Sequence, residues 1–261
     1  MRTCLRSALA ALLLPLGGLV AAAETSMAVQ VFSCNLKDGA TQSDFWEAAD
    51  QYRTAMGGLN GPGLETINVY ALMPFRAAAD ADFLWLVASP NLNALGTGLT
   101  TYYNSESGRG ADAAFAEISD CSAGIVLVDN LHQGEVREAD YTDQNPEGIY
   151  ELFGCNLLPG KTAEDLQSAT AYWQTQIEKI NSKALDEYSA WLWTPFRASG
   201  RFDFAWLGFS PDLESSMRGA TDYLTSEAGQ AADERFASMS RCGSGLWNGY
   251  AIFGRNTEAF N

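Results

Sequence analysis

The chain carries Pro74-Phe75-Arg76 and, after five intervening residues, Asp82-Phe83-Leu84-Trp85-Leu86. The same pattern returns as Pro195-Phe196-Arg197 and Asp203-Phe204-Ala205-Trp206-Leu207, at an offset of 121 residues. This offset relates residues 32–124 to residues 153–245 without a gap. The repeat is too long for a solenoid, whose units span roughly 20–50 residues, and is typical of two copies of one small domain.

Each copy predicts the element order βαββαβ. In the first copy, Thr41 followed by Asp44 indicates a capped helix start, and alternating apolar residues indicate the strands. The second copy follows the same order between residues 148 and 253. The elements predicted for the first copy are strands at 29–36, 65–75, 82–89 and 121–128 and helical segments at 41–56 and 91–119.

This order folds most simply as a four-stranded antiparallel sheet with both helices on one face. The strand at 82–89 is apolar on both faces, which is expected if the sheets of the two copies pack together. We therefore predict an α+β fold in which two tandem ferredoxin-like βαββαβ repeats form one intramolecular α+β barrel with the helices outside. Because the repeats cover each other's sheets, we expect a monomer with an internal pseudo-twofold axis.

Four cysteines occupy matched positions, two in each copy. In the predicted sheet the first and last strands are antiparallel neighbours, so the end of one adjoins the start of the other. This arrangement predicts the disulfides Cys34–Cys121 and Cys155–Cys242. An even, symmetric set of cysteines also favours an oxidising compartment over a zinc or thioredoxin-type site.

In this element order the chain resembles the dimeric α+β barrel superfamily, with the two halves of the dimer fused in one chain. That group includes monooxygenase-like proteins of antibiotic biosynthesis, stress-responsive barrel proteins and chlorite dismutase-like haem proteins. The resemblance covers nearly the whole predicted mature chain as element order, and no residue-level family motif accompanies it. The haem proteins of the group place their iron-binding histidine in the second repeat, where this chain has no histidine.

The first 23 residues have the pattern of a cleaved secretory signal peptide, with Arg2, Arg6, an apolar run and Ala21-Ala22-Ala23. We therefore predict a periplasmic or extracellular protein. The net charge of −16 argues against nucleic acid and anionic membrane partners, and no later stretch predicts a membrane span. The predicted domains are a first repeat at 24–128, an acidic linker at 129–147, a second repeat at 148–254 and a tail at 255–261.

Two arginines are candidates for a ligand site, because each precedes the loop of the repeated pattern. Arg76 and Arg197 at a barrel mouth would suit a carboxylate or phosphate group. The structural alternative is a cross-strand ion pair with Asp82 or Asp203 that closes each hairpin.

Aromatic residues form the second set of candidates. Trp85 and Trp206 lie in the most apolar strands, where they either pack in the core or line a cavity inside the barrel. Smaller residues near Trp206, among them Gly208, leave more room there than around Trp85. Trp206 is therefore the better cavity candidate. The further candidates, on the second strands, are Tyr70 and Trp191.

His132 is the only histidine, and it lies in the predicted linker. A serine or cysteine nucleophile paired with histidine is therefore not expected, and neither is a transition-metal site or a cofactor. The main prediction is a secreted or periplasmic, non-catalytic protein that binds a small, partly apolar ligand or a partner. One alternative is a cofactor-independent monooxygenase-like enzyme that acts on an aromatic substrate in the barrel. The other alternative is a structural or interaction protein without a pocket.

Overall fold

The computed structural model of the protein describes residues 26–75, 81–135, 139–141, 144–197 and 202–255. The predicted signal peptide, Arg76 and all but the first residue of the predicted tail lie outside these ranges. No helix in these ranges has the length and apolar character that a membrane span requires.

The described residues form eight strands, seven α-helices and a 3₁₀ turn at Leu64–Thr66. The strands are β1 (Met27–Leu36), β2 (Asn68–Pro74), β3 (Phe83–Ser89), β4 (Ser119–His132), β5 (Gly148–Leu157), β6 (Ser189–Arg197), β7 (Phe204–Ser210) and β8 (Ser240–Gly254). The helices are α1 (Gln42–Gly58), α2 (Leu92–Asn104), α3 (Glu106–Ile118), α4 (Ala163–Ile177), α5 (Lys183–Asp186), α6 (Leu213–Thr225) and α7 (Glu227–Ala237).

All eight strands pair antiparallel into one closed barrel, in the order β1-β3-β2-β8-β5-β7-β6-β4. The strands of the first half are neighbours in the order β4-β1-β3-β2, and those of the second half in the order β8-β5-β7-β6. The halves join where β2 pairs with β8 and β4 pairs with β6. The predicted α+β class and the intramolecular barrel are therefore confirmed.

Local sequence explains where several elements begin and end. Thr41 caps α1 and Thr162 caps α4, and each forms a capping box with the aspartate three residues later. Two strand ends differ from the prediction. β2 begins only at Asn68, because the preceding residues form the 3₁₀ turn, and β4 continues to His132 because its end pairs with β6.

Both predicted disulfides are present. Cys34 lies directly opposite Cys121 on neighbouring strands β1 and β4, and Cys155 lies opposite Cys242 on β5 and β8. Each bridge spans 87 residues of sequence. The matched positions in sequence are thus matched positions in the sheet, and the bridges are compatible with an oxidising compartment.

The strands bury apolar residues on both faces, as the sequence of β3 predicts. One face points into the barrel, where Leu84, Leu207, Trp193 and Trp247 belong to one apolar cluster. The other face meets the helices, with one cluster mainly in the first half and two mainly in the second. The molecule therefore has a core inside the barrel and further core regions between the sheet and its helices.

Candidate functional site: a cavity in the second half

A cavity of about 440 Å³ lies between the sheet of the second half and the helices that cover it. Its walls include the buried residues Trp173, Leu185 and Trp206, and the exposed side chains of Leu224 and Asp233 lie at its rim. A volume of this size falls within the range of small-molecule sites. The cavity is on the helix side of the sheet and not inside the barrel, where the sequence-based prediction had put it.

Glu151 brings a carboxyl group to this apolar cavity. It lies on β5, and Ser216 of α6, which is 4% exposed, donates a hydrogen bond from Oγ to Glu151 Oε1 at 3.3 Å. Burial raises the pKa of Glu151, and the hydrogen bond from Ser216 opposes part of that rise. A carboxyl with a raised pKa holds a proton more strongly than usual, so it is a stronger base when ionised.

Tyr188 places a phenol beside the same carboxyl. Trp206 Nε1 donates a hydrogen bond to Tyr188 Oη at 3.1 Å. Burial raises the pKa of Tyr188, and the negative charge of Glu151 adds to that rise. Gly208 makes room for this phenol, because a Cβ atom there would overlap the Tyr188 hydroxyl.

A second tyrosine–carboxylate pair at the cavity has a structural role. Tyr223 Oη donates to Asp233 Oδ1 at 3.0 Å. At the matched positions of the first half, Tyr102 Oη donates to Asp112 Oδ1 at 2.9 Å. Because both halves contain this pair, it belongs to the packing of the helices and does not distinguish the cavity.

The first half has different residues at the positions that correspond to Glu151, Tyr188, Gly208 and Ser216. Leu95, Ile67 and Val87 are all buried in the core of the first half. At the offset of 121 residues, they correspond to Ser216, Tyr188 and Gly208, and Gln30 corresponds to Glu151. The sequence analysis did not identify Glu151, Tyr188 or Ser216. The signal that marks them is the departure of one copy from the other, and not their agreement.

The five predicted ligand-site residues that the structure describes do not come together. Trp206 lines the cavity, whereas Trp85 is 6% exposed and packs against Tyr52 and Phe115 with ring-centroid distances of 5.0 and 4.6 Å. Tyr70 and Trp191 pack against the apolar cluster inside the barrel. Trp206 alone of these four therefore lies at the cavity.

The arginine candidates lie elsewhere. Arg197 is exposed at the end of β6, with its guanidinium 5.5 Å from the centroid of the Phe196 ring. It forms no ion pair with Asp203, whose carboxylate instead accepts a hydrogen bond from the N–H of Leu157 at 2.8 Å. The expected cross-strand ion pair is therefore wrong for the second half. Arg76 is outside the described residues, and Asp82 accepts from the N–H of Leu36 at 2.8 Å in the same manner.

Comparison with solved structures identifies the fold. A candidate monooxygenase of Fusobacterium nucleatum is 12% identical, covers 88% of this chain and 94% of its own, and gives a TM-score of 0.56. An anthrone oxidase-like protein is 12% identical over 90% of this chain and 97% of its own, with a TM-score of 0.52. A candidate chlorite dismutase is 13% identical over 90% of this chain and 99% of its own, also at 0.52. No family model and no curated protein match the chain.

These neighbours are chlorite dismutase-like and monooxygenase-like α+β barrel proteins, and this chain shares their fold. The main prediction of a non-catalytic binding protein is wrong, because the solved structures with this fold are described as monooxygenase, oxidase and dismutase proteins.

The residues at the cavity do not fit a haem. Among the described lining residues none is lysine, arginine or histidine, so none would balance the two negative carboxylates of a haem in a cavity that already holds Glu151 and Asp233. Both lining cysteines form a disulfide, the oxygen of Tyr188 already accepts a hydrogen bond from Trp206, and the hydroxyl of Tyr223 donates to Asp233. His132 lies outside the lining, with Nε2 3.1 Å from the carbonyl oxygen of Leu185. Within the described ranges, no group of three or more His, Cys, Asp or Glu side chains is arranged to hold a metal ion.

Proposed function

We propose that the protein is a cofactor-independent, monooxygenase-like enzyme that oxidises a small aromatic substrate with molecular oxygen. The reaction site is the cavity of the second half. The observation that carries this proposal is Glu151, a carboxyl with a raised pKa inside an aromatic-walled cavity. A base of this kind is suited to removing a proton from a weakly acidic C–H or O–H group, because its pKa lies closer to the operating pH.

The rings of Trp173, Trp206 and Phe236 form an apolar wall against which an aromatic substrate would pack. Transfer of a proton from the substrate to Glu151 leaves a carbanion or phenolate, which gives electrons to O₂. For an activated methylene group the balance is R₂CH₂ + O₂ → R₂C=O + H₂O. Molecular oxygen is thus the oxidant and the source of the new oxygen atom, and the second oxygen atom leaves as water. The anthrone oxidase-like neighbour supports this choice of chemistry.

The test is oxygen uptake with anthrone, after subtraction of the uncatalysed rate. We expect wild-type protein to consume oxygen and Glu151→Gln to lose roughly 10²- to 10⁴-fold in rate, the usual contribution of a general base. The double variant Gln30→Glu/Glu151→Gln is the matched control, because it places the carboxyl at the corresponding position of the first half. It should remain inactive. Full activity in Glu151→Gln, or no uptake by wild type with anthrone and related phenols, would refute the proposal.

We also infer that the two halves are tandem ferredoxin-like repeats and that the chain works as a monomer. The constant offset and the matched strand orders support the duplication. The proposed domains are residues 24–128 and 148–254, joined by the segment 129–147. We further propose a periplasmic or extracellular location after removal of residues 1–23, which the two disulfides support. Sedimentation of the mature protein tests whether it is a monomer. N-terminal sequencing of exported protein tests whether residues 1–23 are removed.

A further inference from the structure

The polar groups of the cavity are arranged to recognise one kind of substrate. Trp206 Nε1 donates to Tyr188 Oη, so the tyrosine oxygen acts as acceptor in this contact. No acceptor for the Tyr188 hydroxyl proton is found among the described residues, although buried hydroxyl groups normally have one. The phenol therefore has a proton to donate to a bound molecule.

Two matched positions differ together between the halves at this phenol. The first half has Ile67 and Val87, both buried in its core. The second half has Tyr188 and Gly208, and the hydroxyl occupies the space that a side chain at Gly208 would fill. Where the first half has two apolar side chains, the second half thus has a phenol lying over a residue without a side chain. The result is a donor next to Glu151 and Ser216 rather than a closed core.

The charges at the cavity restrict the ligand further. The ionisable carboxyls at its wall and rim are those of Glu151 and Asp233, and no basic side chain is present among the described lining residues. An anionic ligand would meet like charge without a compensating cation, which is costly in a partly buried site. The favoured ligand is neutral, aromatic and equipped with an oxygen atom that accepts a hydrogen bond.

We propose that the cavity selects neutral hydroxyaryl compounds or their keto tautomers, with Tyr188 donating a hydrogen bond to the substrate oxygen and Glu151 facing the proton to be removed. The inference rests on the proposed function for the role of Glu151, and on the geometry alone for the role of Tyr188. Tyr188 would also stabilise the negative charge that develops on this oxygen once the proton is lost.

Anaerobic titration calorimetry with 1-naphthol, naphthalene and 1-naphthoate tests this, since binding is measured without turnover. Wild-type protein should bind 1-naphthol about three- to tenfold more tightly than naphthalene, the effect of one buried hydrogen bond, and 1-naphthoate most weakly. Tyr188→Phe should bind the first two compounds equally. Tyr102→Phe, which removes a buried phenol of the first half, should keep the wild-type preference.

Any of the following outcomes overturns the inference: equal binding of naphthol and naphthalene by wild type, tighter binding of naphthoate, or a preference that survives in Tyr188→Phe. Absence of binding by all three compounds also overturns it. The wild-type series is decisive even if a variant fails to fold. If oxygen uptake is absent but the naphthol preference is found, only the proposed oxidation fails. If uptake occurs without the preference, only this inference fails.

Discussion

In the first half of the barrel, Trp85 is surrounded on the helix side by Phe45, Tyr52 and Phe115. In the second half, its counterpart Trp206 packs against Trp173 at 4.5 Å between ring centroids and borders a cavity. The backbone that carries the two tryptophans is arranged alike, since each lies on a strand between two strands of its own half. The same scaffold thus supports a filled core on one side and an open site on the other.

The comparison separates two kinds of residue. Positions that agree between the halves, such as the capping threonines, the disulfides and the tyrosine–aspartate pairs, build the scaffold. Some positions at the cavity differ between the halves, and Glu151, Tyr188 and Ser216 are among them. The shared positions therefore build a common scaffold, and these three differences give the second half its polar cavity.

The largest expected difference between the halves is in the stability lost on removing each tryptophan. Trp85→Ala should lower the free energy of unfolding by about 3–5 kcal/mol, as for other large aromatic residues in packed cores. Trp206→Ala should cost less, because one side of its ring already borders open space and its removal leaves fewer contacts unmade. Urea denaturation of both variants, followed by circular dichroism, measures the two losses.

The conservative variants Trp85→Phe and Trp206→Phe serve as controls for ring burial. Each keeps an aromatic ring, so each should lose less stability than the corresponding alanine variant. Equal losses for the two alanine variants would contradict the picture of a filled core in one half and an open site in the other.

Much of the scaffold could be predicted from the sequence, because the repeat constrains it twice. The predicted neighbours β1 and β4 brought Cys34 opposite Cys121, and the same reasoning placed Cys155 opposite Cys242. Thr41 and Thr162 marked helix starts for a local reason, since each has its aspartate three residues later. These features depend on spacing along the chain, which a sequence shows directly.

The cavity could not be placed from the sequence for a physical reason. The strand β7 is apolar on both faces, so its pattern does not tell which face has room beside it. The small residues near Trp206 predicted space beside it, but Gly208 lies under the Tyr188 phenol and Ala205 faces the barrel interior. Ser216 looks like a solvated helix residue, and only the packed structure shows that it is buried against Glu151.

A smaller effect is expected from filling the cavity with the residues of the first half. Ser216→Leu with Ala220→Leu introduces the counterparts Leu95 and Leu99 on α6. The added apolar groups should raise the free energy of unfolding by about 1–2 kcal/mol, offset in part by the lost hydrogen bond to Glu151. Binding of 1-naphthol should be lost at the same time, as calorimetry and thermal melting will show.

Met217→Leu is the matched control for this variant, because Met217 lies on the same helix and is 44% exposed. It should change neither stability nor binding. If the filled variant still binds 1-naphthol with wild-type affinity, the ligand site is not this cavity.

The smallest effect concerns pH and the single carboxyl that distinguishes Glu151 from Gln30. Burial raises the pKa of Glu151 above its ordinary value of 4.5, so the folded state holds this proton more strongly than the unfolded state. The free energy of unfolding therefore falls as pH rises from 4.5 through the folded pKa, and the full loss is present above it. Glu151→Gln lacks this loss. Its melting temperature should match that of wild type near pH 4 and exceed it at pH 7.

The raised pKa of Asp233, the other carboxyl at the cavity, contributes to both proteins and cancels in the difference. Tyr188 and Tyr223 have pKa values raised above that of an ordinary tyrosine and do not titrate in this window. Gln30→Glu places a carboxyl at the matched, closely packed position of the first half. Its melting temperature should therefore match that of wild type near pH 4 and fall below it at pH 7. Parallel melting curves for wild type and Glu151→Gln from pH 4 to 8 would mean that the Glu151 carboxyl is as well solvated in the fold as in the unfolded chain. Glu151 would then have no raised pKa with which to act as the proposed base.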